Sequence, residues 1–387
     1  MPILNRSAEL QAEITEWRRD IHRNPELLFD VHRTAGFVTE KLREFGCDEV
    51  VTGLGKTGVV GIIQGGLGSG PTIGLRADMD ALPMTEMTGK PWASTSPGKM
   101  HACGHDGHTA MLLGAAKYLC ETRNFKGRVA VIFQPAEEGG GGGSEMVKDG
   151  MMERFAIERV FGMHNLPGLP IGQFAIRPGP IMAATAEFVI TVKGRGGHAA
   201  MPHMVVDPIL AASQIVTALQ SIASRNVHPL DSVVVSVTKF HAGDAFNVIP
   251  DKVELAGTVR TLKKEVNVDA ESRMRAICAG VAAAHGATVE VDYDSNYPVT
   301  FNHAEETAFA SAVAGEIAGA ANVDNDITPT MGGEDFSYML EARPGALIFI
   351  GNGDSAALHN TEYDFNDDAI PHGVSYWVRL AETALPG

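Results

Sequence analysis

The sequence predicts an α/β protein with a mixed sheet, interrupted by an inserted ferredoxin-like α+β domain. Two observations predict this fold class. Short apolar segments typical of buried strands alternate with segments of helical periodicity up to about residue 165, and the alternation resumes after residue 304. Between these parts lies a complete β-α-β-β-α-β series, the element order of ferredoxin-like domains. We therefore expect a discontinuous domain over 1–183 and 296–387 and an inserted domain over 184–295.

The length and composition indicate a globular protein of two domains. A chain of 387 residues is too long for one ordinary core, and 44% hydrophobic with 20% charged residues is typical of globular proteins. The net charge of -16 argues against nucleic acids and anionic membranes as partners, because both require a basic face. Because the sequence shows neither a signal-peptide core nor an apolar stretch of about 18 residues, we expect a cytoplasmic protein.

The elements of the discontinuous domain follow from their periodicity. Residues 1–45 predict two helices, with Ser7 as a cap of the first and Asn24-Pro25 as the break between them. The other predicted elements are strands at 58–65, 72–80, 128–138, 158–165 and 345–352, and helices at 106–121 and 304–319.

The inserted domain opens with "AEFVITVKG" (186–194), whose strict alternation is typical of a half-exposed strand. The elements predicted after it are a helix at 206–225, strands at 231–241 and 252–262, a helix at 266–285 and a strand at 287–293. This series is self-contained, which is why we interpret it as an insertion.

Groups capable of chemistry follow the predicted strands of the first domain at the points where those strands end. They are Asp78, Asp80, Glu137, Glu138, His164 and His359. The segment "HACGHDGH" (101–108) adds Cys103 and His105 in the loop before a helix. Because the ligand crevice of an open α/β sheet lies outside the carboxyl ends of its strands, we expect these side chains to share one site.

The mixture of thiol, imidazole and carboxylate groups indicates a metal site. Such a set suits Zn, Mn, Co or Ni better than Mg or Ca. It is too rich for one catalytic ion, whereas two ions about 3.5–4 Å apart would use all of it and would suit metal-assisted hydrolysis. Adjacent residues of an extended chain point opposite ways, so one carboxylate of the Glu137-Glu138 pair can bind metal while the other acts as general base.

Simpler interpretations compete with these. A lone cysteine is more often a small buried hydrophobe than a ligand, and a glutamate pair is usually solvated. The neighbouring His105, and the buried strand before the pair, favour function here. We expect His101 and His108 to support ligands or to be structural, and Asp106 to cap the helix at 106–121 or to orient a ligand. The glycine run after Glu138 lacks the Lys-Ser/Thr ending of a phosphate loop.

A second polar cluster occurs in the inserted domain. His198 lies in a glycine-rich loop, Asn247 in "GDAFNVIP" and Arg260 in "GTVRTL", each at a predicted strand end. Arg260 is suited to pair with a carboxylate, and His198 is suited to stabilise an oxyanion.

Nine motifs in order carry a resemblance to a known family. They are "RADMDALPMTE", "MHACGHDGHTAMLLGAA", "FQPAEEGGGG", "GMHN", "GRGGHAAMPH", "NVIPD", "GTVRT", "MGGEDFSYM" and "LHNTEYDFND". Over about residues 12–385 the sequence resembles the dinuclear metallo-aminoacylase and carboxypeptidase family, peptidase family M20. Within it, the sequence is most similar to the branch of hippurate hydrolases and plant auxin-conjugate hydrolases.

The resemblance implies a role for each matching position. Cys103 would be the ligand shared by two metal ions, and Glu137 would be the general base. The remaining ligands would be His105, Glu138, His164 and His359. The substrate-contacting positions of a lid domain, which also forms dimers, would be His198, Asn247 and Arg260. Residues 333–339 would line the substrate pocket, and the metal domain would have a zinc-peptidase-like fold.

The predicted activity is metal-dependent hydrolysis of an N-acyl-L-amino acid of the hippurate type to a carboxylate and a free amino acid. It implies two divalent ions per subunit (Mn, Zn, Co or Ni) and a homodimer or homotetramer formed through the lid domain. Two alternatives on the same scaffold are a dipeptidase or carboxypeptidase and a deacetylase of an N-acetyl-diamino acid. A binding protein without turnover would be favoured if Glu137 or a ligand were replaced, and none is.

Overall fold

The computed structural model describes residues 3–387, which form two compact units. The first unit runs to Ile181 and resumes over Phe301–Thr328 and Asp335–Gly387, and the second comprises Met182–Thr300 and Pro329–Glu334. The predicted insertion, 184–295, did not include the short return segment 329–334. That segment belongs to the second unit because the Ala183 N–H donates to the Gly332 carbonyl at 2.9 Å and Gly333 packs against Thr185.

An eight-stranded mixed sheet organises the first unit. Its strands are β1 (Glu49–Leu54), β2 (Gly58–Gln64), β3 (Thr72–Asp78), β4 (Arg128–Gln134), β5 (Ile157–Leu166), β6 (Phe174–Ala175), β15 (Val323–Asp324) and β16 (Gly345–Gly351). Their order is β1-β2-β4-β3-β5-β16-β6-β15. The four adjacent strands β4, β3, β5 and β16 are parallel, so their carboxyl ends lie at one edge of the sheet. Two short strands, β7 (Gly179–Met182) and β14 (Thr300–Asn302), pair with each other.

Helices flank this sheet. They are α1 (Asn5–Arg23), α2 (His32–Glu44), α3 (His105–Thr122), α4 (Gly142–Lys148), α5 (Met151–Arg154), α8 (Ala304–Ala318), α9 (Ser337–Ala342) and α10 (Ile370–Ala384). Helix α3 is buried over most of its length because α1 and α10 pack directly on it. Gly114 permits this approach, since a Cβ there would lie 2.4 Å from Ile14 and 2.9 Å from Val374. Within the described residues, no helix is long and apolar enough to cross a membrane.

The second unit has the ferredoxin-like arrangement. Its main elements are β8 (Ala184–Lys193), α6 (Pro208–Ser221), β10 (Val233–Ala242), β12 (Lys252–Thr261), α7 (Lys264–Ala284) and β13 (Thr288–Tyr297). The four strands form an antiparallel sheet in the order β10-β12-β8-β13, and the two helices pack on it to enclose a separate hydrophobic core. A small ladder of β9 (Gly197–His198) and β11 (Val248–Ile249) completes the unit.

The predicted fold class, a mixed-sheet α/β protein with a ferredoxin-like insertion, is confirmed. The capping role of Ser7 was wrong, because helix α1 begins at Asn5 and Ser7 is buried inside it. The strands predicted to end at 80 and 138 end at Asp78 and Gln134. In both places the chain leaves the ladder early, and the residues after it turn toward the site described next.

Candidate metal centre

The predicted site of the first unit lies at the carboxyl ends of its parallel strands. Asp78 ends β3, Glu137 and Glu138 follow β4, His164 lies near the end of β5, and the loop after β16 carries His359. Helix α3 begins at His105, directly after the loop that contains Cys103. The topology therefore brings together all the side chains that the sequence assigned to one sheet edge.

One group of possible metal ligands consists of Cys103, His105 and His164. Their ligand atoms lie within 4.8 Å of one another, and all three residues are buried. The Cys103 Sγ and the His164 Nε2 are 3.4 Å apart. One ion can therefore be reached by a thiolate and two imidazoles, a donor set typical of zinc and neighbouring transition metals.

A second group consists of Cys103, Glu138 and His359, again with ligand atoms within 4.8 Å of one another. The His359 Nε2 lies 3.3 Å from the Glu138 Oε1. His359 has a left-handed backbone (φ 60°), a strained conformation for a residue other than glycine, and its N–H donates to the Ala102 carbonyl at 2.8 Å. Because Cys103 belongs to both groups, the geometry fits two ions that share its sulfur.

Hydrogen bonds fix which nitrogen of each histidine faces the cluster. His105 donates from Nδ1 to the Asp80 carbonyl at 2.8 Å, and His164 donates from Nδ1 to the Asn165 carbonyl at 2.7 Å. Both Nε2 atoms are therefore directed at the site, an arrangement typical of metal-binding histidines. The His105 Nε2 makes no hydrogen bond within residues 3–387.

Carboxylate oxygens surround that nitrogen at distances too long for hydrogen bonds. The Asp78 Oδ2 lies 3.6 Å from the His105 Nε2, the Glu137 Oε2 lies 3.9 Å from it and the Glu138 Oε1 lies 4.0 Å from it. Burial lowers the pKa of His105, but Asp78 and Asp80 outweigh burial and raise it to about 10. The site therefore favours positive charge at this point, and a divalent cation meets the same electrostatic demand.

The other histidines of "HACGHDGH" are not available as ligands in this way. The His108 Nδ1 donates to the Asp78 Oδ1 at 2.7 Å, and its Nε2 accepts the Asn165 N–H at 2.9 Å, so both ring nitrogens are occupied. His101 is buried, and burial lowers its pKa to about 3. His101 belongs to none of the ligand groups found among the described residues.

Asp80 positions the glutamate pair. Its Oδ1 accepts the Glu137 N–H at 2.9 Å, and its Oδ2 accepts the Glu138 N–H at 3.1 Å. The chain turns at Ala136, whose backbone is left-handed (φ 55°), immediately before the pair. Glu137 is 6% exposed and forms a further group of possible ligands with His105 and Glu138.

A buried polar network supports Asp78 from behind. Arg76 donates to the Asp78 Oδ2 at 2.8 Å, to the Asp335 Oδ1 at 3.0 Å and to the Gln134 Oε1 at 2.9 Å. The segment 333–339 was expected to line a substrate pocket. Within the first unit, its residue Asp335 is fully buried, where it compensates the Arg76 charge and accepts the Gly143 N–H at 2.8 Å. Composition and spacing gave no signal for this pairing across 259 positions.

The second unit contains the other three predicted residues. The β9–β11 ladder brings His198 and Asn247 together, since the Ala199 N–H donates to the Asn247 carbonyl at 3.0 Å. The His198 Nδ1 accepts the Ala200 N–H at 3.1 Å, which leaves the proton on Nε2 and makes that exposed atom a donor. Arg260 is half-buried on β12 and forms no ion pair within residues 3–387.

Comparison with known proteins identifies the family. The model of peptidase family M20/M25/M40 matches residues 74–383. The chain belongs to this family. The resemblance expected from the nine motifs is thereby confirmed.

Two relatives and one solved structure show how similar this M20 chain is to other members. It is 45% identical to hippurate hydrolase of Campylobacter jejuni over 98% of this chain and 99% of that protein. It is 40% identical to IAA-amino acid hydrolase ILR1-like 4 of Arabidopsis thaliana, over 95% and 84% of the two chains. The Bacillus subtilis YXEP protein, described as a dinuclear metal-binding M20 peptidase, matches with a TM-score of 0.85 and 35% identity, covering 98% and 99% of the two chains.

A further buried pair joins the first turn of helix α3 to helix α1 in this M20 chain. The predicted capping role of Asp106 was wrong, because its Oδ2 pairs instead with the His22 Nδ1 at 2.8 Å. Arg18 Nη1 lies 3.6 Å from the same oxygen. Burial lowers the pKa of His22, but Asp106 outweighs burial and raises it to about 9. The sequence gave no signal for this contact, which joins residues 84 positions apart.

This pair predicts a specific dependence of stability on pH. The pKa of His22 is about 9 in the folded protein and about 6.5 in an unfolded chain, so the stabilisation is complete below pH 6.5 and is lost as pH rises through 9. Between pH 6 and 9.5 we expect the wild type to lose about 3 kcal/mol of unfolding free energy relative to His22→Gln. Chemical denaturation at both pH values measures this difference.

The control is His32→Gln, which removes an exposed histidine of α2 and should leave the pH dependence of the wild type unchanged. Parallel stability curves for the wild type and His22→Gln would contradict the assignment.

Proposed function

We propose that this protein is a metal-dependent amidohydrolase that cleaves N-acyl-L-amino acids of the hippurate type to a carboxylate and a free amino acid. One observation carries the proposal. Two ligand groups share Cys103, and the Glu137 carboxylate lies beside them. Its similarity to proteins named hippurate hydrolase and IAA-amino acid hydrolase supports the substrate class.

We assign one ion to Cys103, His105 and His164 and the other to Cys103, Glu138 and His359, with Mn, Zn, Co or Ni as the metal. When bound, two such ions polarise an amide carbonyl and lower the pKa of water. The chain's own contribution is to hold these donors in place, with each imidazole oriented by its Nδ1 hydrogen bond.

Glu137 acts as the general base in this proposal. Its carboxylate takes a proton from the attacking water and delivers that proton to the amine that leaves. Two features support this role: the side chain is nearly buried, and Asp80 fixes its backbone. The neighbouring Glu138 is the carboxylate that approaches His359, which suits it to bind metal.

The second unit supplies substrate recognition in this proposal. The His198 Nε2–H stabilises the oxyanion that forms at the scissile carbonyl, while Asn247 and Arg260 bind the substrate. Arg260 pairs with the free α-carboxylate, a role that suits its half-buried guanidinium on β12. We further propose that this unit is a lid and the contact of a homodimer or homotetramer, and that the protein is cytoplasmic.

Metal removal and substrate choice test the proposed activity together. We expect chelation to abolish hydrolysis and Mn, Co, Zn or Ni to restore it, because the two ligand groups have donors for these ions. The restored enzyme is then assayed on benzoyl-, acetyl- and indolyl-acyl amino acids, on dipeptides and on N-acetyl-diamino acids. Full turnover by protein shown to be metal-free would exclude the mechanism. A preference for dipeptides or N-acetyl-diamino acids would instead establish one of the alternative activities.

Substitution of each glutamate in turn tests the division of roles. Glu137→Gln preserves size but removes proton acceptance, so kcat should fall by roughly 10²–10⁴ while metal content is retained. Glu138→Gln is the matched control, and it should lose metal. Metal analysis and steady-state kinetics of both variants measure these effects. Loss of metal in Glu137→Gln but not in Glu138→Gln would reverse the two assignments.

Arg260 is tested with acid and amide forms of one substrate. A charge-assisted pair contributes roughly 1.5–3 kcal/mol, so Arg260→Ala should lower kcat/KM on the free acid by about 10- to 150-fold. The effect on the corresponding amide should be far smaller, because the amide lacks the charge. Arg273→Ala, which removes an exposed arginine of α7, is the control. Equal losses on acid and amide would show that Arg260 does not bind the carboxylate.

A further inference from the structure

Asn165, the residue after His164, contacts several parts of the proposed metal centre at once. Its side-chain Nδ2 donates to the Cys103 carbonyl at 2.6 Å. Its main-chain carbonyl accepts the His164 Nδ1 proton at 2.7 Å, and its N–H donates to the His108 Nε2 at 2.9 Å. Asn165 is fully buried. One residue therefore fixes the backbone of Cys103 and the ring of His164.

Tyr363 holds the oxygen of the Asn165 amide. The Tyr363 hydroxyl is fully buried and lies 2.7 Å from the Asn165 Oδ1, to which it donates. If the amide were rotated by half a turn, its oxygen would face the Cys103 carbonyl oxygen at hydrogen-bond distance, which is repulsive. The Cys103 carbonyl and the His108 Nε2, which lies 3.1 Å from the same Nδ2, therefore set the orientation of the amide, and the Tyr363 hydroxyl donates to the oxygen on its other arm.

The residues around these contacts are packed so closely that Gly104 has no room for a side chain. Gly104, between Cys103 and His105, has a left-handed backbone (φ 88°). A Cβ on it would lie 2.2 Å from the Asn165 Nδ2 and 2.5 Å from the Tyr363 Oη. The loop thus approaches both side chains as closely as a glycine allows, and a shift of either side chain is transmitted directly to the residues on both sides of Gly104.

Tyr363 also belongs to the chain segment that supplies His359. That segment is tied to the loop by a second contact, the hydrogen bond of 2.8 Å from the His359 N–H to the Ala102 carbonyl. The Tyr363–Asn165–Cys103 chain of hydrogen bonds therefore joins β5, the loop before α3 and the segment after β16, which together supply three of the five proposed ligands.

We propose that Tyr363 and Asn165 are positioning residues of the metal centre: the Tyr363 hydroxyl holds the Asn165 amide in place, and that amide sets the position of the shared ligand Cys103. This inference rests on the proposed metal centre but not on the proposed substrate. Loss of the hydroxyl leaves the buried Asn165 Oδ1 without its donor, so the amide is no longer held from that end and can shift. The sulfur of Cys103 then loses its fixed position relative to both ligand groups.

The test uses the cobalt-loaded protein and its Tyr363→Phe variant, with cobalt dissociation constants measured by chelator competition. We expect Tyr363→Phe to bind cobalt about 10- to 100-fold more weakly, the range found for residues that orient metal ligands. At saturating cobalt we expect changed intensity of the thiolate-to-cobalt band, because the sulfur moves. A tyrosine that only filled space would leave the spectrum of the loaded protein unchanged.

Tyr376→Phe is the matched control. Tyr376 is also fully buried in the first unit, and its hydroxyl has no hydrogen-bond partner within residues 3–387. This variant should bind cobalt as the wild type does.

A second comparison uses Asn165→Ala alone and combined with Tyr363→Phe. If the hydroxyl acts through the amide, the double variant should bind cobalt as Asn165→Ala does.

Three results would overturn the inference: unchanged affinity and spectrum in Tyr363→Phe, equal losses in Tyr363→Phe and Tyr376→Phe, or a further loss when Tyr363→Phe is added to Asn165→Ala. Failure of the wild type to bind cobalt would overturn the proposed metal centre and this inference with it. If the wild type and Tyr363→Phe bind cobalt equally well, the inference is overturned while the proposed metal centre stands.

Discussion

Asp80 bonds to two separate parts of the candidate site at once. Its carboxylate accepts the N–H groups of Glu137 and Glu138, and its main-chain carbonyl accepts the Nδ1 proton of His105. The strand ladder ends at Asp78 and at Gln134, so these hydrogen bonds replace the pairing that β3 and β4 give up. They fix the backbone of Glu137 and Glu138 relative to the ring of His105. The arrangement of both ligand groups depends on this fixed geometry.

The charge of the site imposes a second constraint. Asp78, Asp80, Glu137 and Glu138 all lie near His105, and burying so much negative charge is unfavourable without compensation. Arg76 compensates part of it from behind, shared between Asp78 and Asp335. The raised pKa of His105 shows that the front of the cluster still favours positive charge. We therefore expect metal binding to stabilise the folding of this edge of the sheet.

The sequence predicted the fold class and the sheet edge well because both follow from local patterns. Apolar runs located the parallel strands, and the polar residues that follow them had to meet once those strands were neighbours. The contacts that orient the ligands could not be predicted in this way. Three such contacts are His22 with Asp106, Arg76 with Asp335 and Tyr363 with Asn165, whose residues are 84, 259 and 198 positions apart in the sequence. The periodicity of apolar residues carries no information about pairs so far apart. The roles of Glu137, His198, Asn247 and Arg260 stay predictions.

The insertion of the second unit between two parts of the first has a consequence for the order of events during synthesis on the ribosome. Cys103, His105, Glu138 and His164 all precede the insertion, whereas His359 follows it, as does β16, the strand next to β5. A nascent chain therefore exposes four of the five proposed ligands, and an unpaired edge of β5, while the whole second unit is being made. The second ligand group is completed only after the segment with His359 has emerged, so an incomplete chain cannot hold both ions.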